Sequence, residues 1–136
     1  MNTLHRTITN ELHELQGLML ASTNFLEDRG VGETTVYRVN LALEELITNI
    51  IKHGYKDYDQ HEINVTLEVG EQEIKTVIED DGKPFDPLAW TKKETPASLE
   101  TRPVGGLGIS LIKDLLDNLS YRREGSKNIV EIKARR

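Results

Sequence analysis

Cysteine is absent from this chain of 136 residues. Its absence excludes disulfide bonds, zinc sites built on thiolates and a cysteine nucleophile. Aromatic residues are also scarce, at 5% of the chain, with one tryptophan and two phenylalanines. Because hydrophobic residues still make up 37% of the chain, the composition predicts one domain with a mostly aliphatic core.

Clusters of positive charge and long apolar runs are missing as well. The 17 lysines and arginines are outnumbered by 23 acidic residues, which gives a net charge of −6. That balance disfavours binding to a phosphate backbone, so we expect no direct nucleic-acid partner. No apolar run approaches the length of a membrane span, and the first residues lack the apolar segment of a secretory signal. We therefore expect a cytoplasmic protein with no membrane partner.

The residues that are present are organised around one long helix, predicted over about 33–53. Apolar residues recur in it at steps of three and four and predict its buried side, namely Val36, Val39, Leu43, Leu46, Ile47 and Ile50. A second stripe at the same spacing contains Ala42, Glu45 and Asn49. A carboxamide oxygen can bind magnesium and a nearby carboxylate can accept a proton, although this pair alone also fits a solvated helix surface. Gly54 is expected to end the helix as a left-handed cap.

The pattern elsewhere predicts an α+β fold. We expect, in order, a short edge strand over 3–8, an amphipathic helix over 10–29, the central helix, a hairpin over 63–78, a helix after residue 104, and a hairpin over 119–133. The buried stripe of the first helix is expected to begin at Leu12. This order favours a two-layer sandwich with a mixed, mainly antiparallel sheet, helices on one face and the other face in water.

An irregular segment interrupts this order. All four prolines lie between Pro84 and Pro103, so the chain over about 83–104 is predicted to be a functional lid. Three glycines follow at once, Gly105, Gly106 and Gly108, and lead directly into a predicted helix. Free backbone N–H groups at such a glycine-rich helix start are typical of phosphate binding.

Three separate segments therefore carry complementary chemistry: Glu45 to Asn49, Asp80 to Gly82 at a predicted strand end, and the glycine-rich run at 105–108. Together they resemble the N, G1 and G2 boxes of the GHKL ATP-binding superfamily, which includes gyrases, heat-shock chaperones and histidine kinases. The closer resemblance is to the anti-sigma-factor serine kinases of bacterial partner-switching systems. It spans nearly the whole chain, so residues 1–136 are expected to form a single ATP-binding domain.

The resemblance implies a role for each matching residue. Asn49 matches the asparagine that coordinates Mg²⁺ on the triphosphate, and Glu45 matches the general base. Asp80 matches the aspartate that accepts a hydrogen bond from the adenine amino group, and Gly82 matches a glycine that lets the backbone approach the base. The remaining matches contact the phosphates of ATP, namely Lys52, Gly105, Gly106, Leu107 and Gly108.

The chain departs from the family pattern at two places. Pro84 stands where many relatives have a second glycine of the G1 box, which is expected to stiffen the entrance of the lid. The threonine that supports the adenine-binding aspartate in many relatives is not evident, and Asn128 and Ile129 lie near its place.

The resemblance implies an Mg-ATP-dependent serine/threonine kinase that phosphorylates a small antagonist protein and regulates a sigma factor or a similar target. A homodimer is expected from the same likeness. The alternative is a nucleotide-sensing module that binds a protein without transferring phosphate. The catalytic half of a histidine kinase is a less favoured interpretation, because the chain has no second pair of helices to carry a phosphoacceptor histidine.

Overall fold

The computed structural model describes residues 2–87 and 117–136 of the chain. Their elements are β1 (Thr3–Thr9), α1 (Leu12–Asp28), α2 (Glu33–His53), β2 (Glu62–Val69), β3 (Glu73–Asp80), β4 (Asn118–Glu124) and β5 (Lys127–Arg135). The described strands form one sheet in the order β1-β2-β3-β5-β4, and every neighbouring pair is antiparallel. The predicted α+β fold is confirmed. The helix expected after residue 104 lies outside the described residues.

The two described helices cover one face of the sheet. All six apolar residues predicted for the buried side of α2 are buried. They face an inward row of aliphatic side chains from the central strands, which includes Ile63, Val65, Leu67, Ile74, Ile78, Val130 and Ile132. The prediction for Leu12 is wrong: this side chain is 49% exposed, because it stands at the first position of α1.

The opposite face of the sheet is polar, as expected for a face in water. Ion pairs join its neighbouring strands, with Lys75 Nζ lying 3.4 Å from a carboxylate oxygen of Glu131 and Lys127 Nζ lying 3.9 Å from one of Glu79. Such exposed pairs contribute little to stability. Among the described helices, none is long and apolar enough to cross a membrane.

Helix α2 ends at His53 as predicted, but the predicted left-handed cap at Gly54 is wrong. Gly54 has φ −81° and ψ −22°, and its N–H donates to the carbonyl oxygen of Ile50 at 2.8 Å, which continues the right-handed turn. Position 54 needs glycine because a side chain would not fit there. A Cβ on Gly54 would lie 2.5 Å from the Ile50 oxygen.

Candidate functional site

The centre of the candidate site is Asp80, the last residue of β3. Its side chain is buried, with 3% of the residue exposed. Oδ2 accepts a hydrogen bond from the N–H of Gly82 at 2.8 Å and another from Nδ2 of Asn128 at 3.2 Å. Within the part of the chain that the structure describes, Oδ1 accepts none. One oxygen of the carboxylate is thus held by the protein, and the other remains as an acceptor for a ligand.

The surroundings of Asp80 act on its pKa in both directions. Burial raises the pKa of this carboxyl, and the negative charge of Asp81 adds to the rise. The hydrogen bonds from Gly82 and Asn128, together with the positive charge of Arg123, favour the ionised form and oppose the rise in pKa. The net effect of burial is an Asp80 pKa above its ordinary value. The two donors therefore help to keep Asp80 a hydrogen-bond acceptor.

Asn128 supports Asp80, a role that could not be assigned to a particular residue from the sequence. It lies on β5 directly opposite Asp80 in the antiparallel register of β3 and β5. Its residue is 2% exposed, and its carboxamide oxygen accepts hydrogen bonds from the Tyr121 hydroxyl at 2.6 Å and from Nη1 of Arg123 at 3.0 Å. One feature of the sequence could have pointed to Asn128. It is a polar residue at a buried position of β5, where the other inward-facing residues, Val130, Ile132 and Ala134, are apolar.

Gly82 and Gly54 bring the turn after β3 against the end of α2. The carbonyl oxygen of Gly54 accepts a hydrogen bond from the N–H of Lys83 at 2.8 Å. A Cβ added to Gly82 would lie 2.6 Å from that same carbonyl oxygen and 2.8 Å from Oδ2 of Asp80. Only a residue without a side chain fits this close approach. The predicted need for glycine at position 82 therefore has a geometric basis in the described structure.

Helix α2 also carries the predicted polar stripe of Ala42, Glu45 and Asn49. Asn49 is 1% exposed, and its Nδ2 has no hydrogen-bond partner among the described residues. Glu45, one turn earlier, is half-buried, and Lys52 is exposed in the last turn. The interpretation of Asn49 as a solvated surface residue is wrong. A buried carboxamide with an unpaired polar atom costs free energy unless a ligand engages it.

A small cleft joins α2 to Asp80. It is lined by Leu46, Ile50, Gly54, Asp80, Phe85, Pro87 and Val130. Leu46 and Ile50 are the immediate neighbours of Glu45 and Asn49 in the chain, although neither polar residue lines the cleft itself. The walls are mainly apolar with one carboxylate at the end, and the chemistry of this lining suits a heteroaromatic base that offers an amino group.

A second polar cluster next to Asp80 was not predicted from the sequence. The rings of Tyr55 and His61 stack, with centroids 4.2 Å apart and planes 13° from parallel. The His61 ring nitrogens lie 2.7 Å from Asp57 Oδ1 and 3.1 Å from Asp81 Oδ1. Burial raises the pKa of the Tyr55 hydroxyl, and the charges of Asp80, Asp81 and Asp57 raise this pKa further. The cluster holds the loop after α2 against the strand end that carries Asp80.

The remaining predicted site residues are Gly105, Gly106, Leu107 and Gly108, and they lie outside the described residues. The same is true of the predicted lid beyond residue 87. The structure therefore brings together Asp80, Gly82 and the end of α2, while the phosphate-binding loop remains a prediction from the sequence.

Comparison with known proteins supports the resemblance to ATP-binding kinases that the sequence predicts. The sequence pattern of the histidine kinase-like ATPase domain matches residues 8–134. A serine-protein kinase RsbW of Listeria monocytogenes serotype 4a is 32% identical over 135 residues, which cover 92% of this chain and 85% of that protein. The serine-protein kinase RsbW of Staphylococcus aureus strain Newman is 34% identical over 94 residues, which cover 65% of this chain and 59% of that protein.

The fold is also found in a solved structure. A crystal structure of RsbU and RsbW domains from Mycobacterium tuberculosis superposes with a TM-score of 0.69 and 12% sequence identity, over 99% of this chain and 32% of that one. At that identity the likeness establishes the fold alone. The match over residues 8–134 and the identity with the Listeria protein confirm the resemblance predicted from the sequence. This chain belongs to the histidine kinase-like ATPase family.

Proposed function

We propose that this protein is an Mg-ATP-dependent serine/threonine protein kinase that phosphorylates a small antagonist protein and thereby regulates a sigma factor or a similar target. The observation that carries the proposal is the buried carboxylate of Asp80 at the end of an apolar cleft whose other wall is α2. Relatives named serine-protein kinases match most of the chain, and this supports the type of reaction.

The adenine of ATP is assigned to the cleft. Asp80 Oδ1 accepts a hydrogen bond from the adenine amino group, an interaction that the carbonyl of guanine cannot offer. Leu46, Ile50 and Val130 provide the apolar walls against which the base packs. Gly82 lets the turn after β3 pack against Gly54 and Asp80, two residues that line the cleft. Recognition of the base thus rests on residues of β3, β5 and α2 that the structure describes.

Asn49 is assigned as the protein ligand for Mg²⁺. The metal ligand would be the carboxamide oxygen Oδ1, because magnesium takes oxygen ligands and usually binds through one or two protein groups together with phosphates and water. The unpaired nitrogen Nδ2 can then donate a hydrogen bond to a phosphate oxygen or to a water on the ion. When bound, the metal would neutralise charge on the triphosphate. Lys52 at the exposed end of α2 and the glycine-rich run at 105–108 are assigned to the phosphates.

Glu45 is assigned as the general base. A substrate hydroxyl oxygen forms a bond to the γ-phosphorus while the bond to the β,γ-bridging oxygen breaks and ADP leaves. Glu45 accepts the proton of the attacking hydroxyl. Its half-buried place one turn before Asn49 suits this function, since both residues then face the triphosphate from one helix.

We extend the proposal to the domain organisation, the partners and the location that the family resemblance implies. Residues 1–136 form a single ATP-binding domain with a lid over about 83–104. The partners are ATP, a small antagonist protein of the anti-anti-sigma type, a sigma factor or a similar target, and a second copy of the chain. The protein acts in the cytoplasm.

A second candidate function is nucleotide sensing, in which bound ATP orders a protein-binding surface without phosphate transfer. Pro84 favours it, because a proline at the exposed start of the predicted lid restricts the backbone there.

Incubation with ATP labelled on the γ-phosphate and candidate small antagonist proteins from the same genome separates the two functions. Transfer of label to a serine or threonine that is lost in Glu45→Gln supports the kinase. Tight ATP binding with no transfer to any candidate supports the sensor. A matched control is Glu44→Gln, which alters an exposed neighbour on α2 and is expected to leave transfer unchanged.

A further inference from the structure

His61, the residue that precedes β2, joins two segments of the candidate site. Its Nε2 lies 2.7 Å from Oδ1 of Asp57, in the loop between α2 and β2. Its Nδ1 lies 3.1 Å from Oδ1 of Asp81, in the turn after β3. The ring therefore bridges the loop that follows α2 and the turn that follows Asp80.

The chemistry of the two acceptors fixes the protonation state in which both contacts can form. An ionised carboxylate only accepts hydrogen bonds, so each ring nitrogen must carry a proton to bond one. Both nitrogens of a histidine carry a proton only in the charged imidazolium form. A neutral ring keeps one N–H and turns a lone pair towards the other carboxylate, which repels it. His61 thus forms both contacts when it is protonated and only one when it is neutral.

The contact with Asp81 is the one that a neutral ring gives up. The contact with Asp57 is the shorter of the two and joins residues four positions apart in the chain. Among the effects that raise the pKa of His61, the hydrogen bond to Asp57 is the largest. The remaining proton is therefore held towards Asp57, and the bond across to the turn after β3 is broken.

The groups that face His61 allow it to titrate near neutral pH. Tyr55 stacks on the ring, and burial raises the pKa of the tyrosine hydroxyl, so Tyr55 stays uncharged. Asn10 holds the backbone of His61, because its Oδ1 accepts from the His61 N–H at 2.9 Å. The hydrogen bonds and charges of Asp57 and Asp81 raise the His61 pKa above its ordinary value of about 6.5, and burial of the ring only partly opposes this rise.

The bridge bears on the cleft, because the two segments that it joins form part of the cleft lining. Gly54, at the start of the loop, and Asp80, directly before Asp81, both line the cleft. A backbone bond already runs between the same segments, from the N–H of Lys83 to the carbonyl oxygen of Gly54 at 2.8 Å. Protonated His61 adds a second link to this bond, and neutral His61 removes that link.

We propose that His61 is a pH-sensitive clamp on the nucleotide site: its protonated ring ties the loop after α2 to the turn after β3 and holds the cleft in its binding shape, and loss of the proton weakens nucleotide binding. The proposal rests on the proposed function, in which the cleft receives the base of ATP. It extends that function, because it makes nucleotide affinity respond to pH in the range where histidine titrates. His61 does not line the cleft and acts through the segments that it joins.

Calorimetric titration of the full chain with ADP between about pH 6 and pH 8.5 tests the proposal. At the lower end of this range we expect the wild type to bind ADP about fivefold more tightly than His61→Gln, a coupling of ordinary size for linked sites. We expect this ratio to fall towards unity as the pH rises through the His61 pKa, because the wild type then loses a proton that His61→Gln never holds. Protonation of the nucleotide phosphates and of Asp80 affects both proteins alike and cancels in the ratio.

His13→Gln is the matched control. It removes another histidine beside a carboxylate, since His13 Nδ1 lies 3.6 Å from Oε2 of Glu11, but in α1, which adds no described residue to the cleft lining. The affinity of this variant for ADP is expected to follow that of the wild type at every pH.

NMR titration of the His61 ring in the wild type gives a second readout, which does not depend on the folding of any variant. If the protonated ring favours nucleotide binding, linkage requires that the His61 pKa rises when ADP binds. We expect this rise in the presence of saturating ADP.

The outcomes separate this proposal from the proposed function. A ratio of wild-type to His61→Gln affinity that stays constant across the pH range overturns the clamp, as does a His61 pKa that is the same with and without ADP. Either result leaves the kinase assignment intact. Failure of the wild type to bind ADP at any pH tested overturns the proposed function and the clamp with it.

Discussion

Asn49 and Asn128 are buried to the same degree, with 1% and 2% of each residue exposed, yet their hydrogen bonding is opposite. Nδ2 of Asn49 has no partner among the described residues, whereas the carboxamide of Asn128 is bonded at both ends. An unpaired buried polar atom destabilises a fold, and a fully bonded one does not. The contrast favours the proposed ligand-binding role of Asn49, whereas the hydrogen bonds of Asn128 support the structure around Asp80.

The first prediction compares the same substitution at these two positions. We expect Asn49→Leu to leave the free energy of unfolding unchanged or to raise it by about 1–3 kcal/mol, because it removes an unpaired polar group. We expect Asn128→Leu to lower the free energy of unfolding, because the buried groups that Asn128 bonds would be left without hydrogen-bond partners. Chemical denaturation of both variants is the measurement. A large loss of stability in Asn49→Leu would show that the carboxamide of Asn49 is needed for folding.

The second prediction concerns the metal. Asn49→Leu is expected to abolish the part of ATP binding that depends on Mg²⁺, because the variant has no oxygen to offer the ion. Calorimetry with ATP in the presence of magnesium, and again with a chelator, measures this part directly. Magnesium-dependent affinity that survives in the folded variant would remove Asn49 from the metal site.

The third prediction concerns Asp80→Asn. The carboxamide oxygen can still accept from Gly82 and Asn128, which turns the new NH₂ group towards the cleft in place of an acceptor. We expect ATP affinity to fall by about tenfold or more and GTP affinity to rise, while the stability changes by less than about 1 kcal/mol. Titration with both nucleotides is the measurement. An unaltered ATP affinity would place the base elsewhere.

The fourth prediction concerns the contact between Gly82 and Gly54. Gly82→Ala places a methyl group within 2.6 Å of the Gly54 carbonyl oxygen. We expect a loss of about 1–3 kcal/mol in the free energy of unfolding, as for other overpacked sites, together with weaker ATP binding. Gly17→Ala is the control, because a Cβ at Gly17 in α1 meets nothing within 4 Å and is expected to stabilise the protein by about 0.5–1 kcal/mol. Equal stability of the two variants would contradict the close packing.

The fifth prediction concerns pH. The hydrogen bond to Asp57, followed by the charges of Asp57 and Asp81, raises the pKa of His61 above its ordinary value. A raised folded-state pKa means that protonated His61 stabilises the fold below about pH 6.5 and that this stabilisation is lost as the pH rises through the folded-state value. We expect the stability advantage of the wild type over His61→Gln to shrink between about pH 6 and pH 8.

Thermal unfolding of both proteins across this range measures the effect of His61. His5→Gln is the control, since the ring of His5 lies 3.0 Å from the neutral hydroxyl of Thr66 instead of a carboxylate. An advantage over His61→Gln that stays constant with pH would show that the ring contributes by packing on Tyr55 alone.

Much of the fold could be predicted because the signals are local. The apolar stripe of α2 and the alternation in β2 and β3 follow directly from helix and strand periods, and α2 spans Glu33–His53 as predicted. The prediction failed at Gly54, where a left-handed cap was expected. A glycine after a helix can cap it or leave room for a neighbouring segment, and here Gly54 packs closely against Gly82 in the turn after β3.

Some residues of the candidate site could likewise be predicted from the sequence, and others could not. Glu45, Asn49, Asp80 and Gly82 could be proposed from the sequence, because each lies in a short motif that resembles a box of the GHKL superfamily. Asn128 could not be assigned, because its partner Asp80 lies 48 positions away and the pairing depends on the register of β3 with β5. Tyr55 and His61 are close in the chain, but their link to Asp81 is likewise set by the fold.

The sequence by itself determined the order of the described helices and strands, most of the positions that they bury and, through its motifs, the resemblance to the family, since these depend on patterns along the chain. Only the tertiary structure decided which side chain supports Asp80, which buried asparagine is left unpaired, and why two glycines must meet. Those features depend on distances between segments far apart in the chain, and such distances exist only after the sheet has formed and α2 has packed against it.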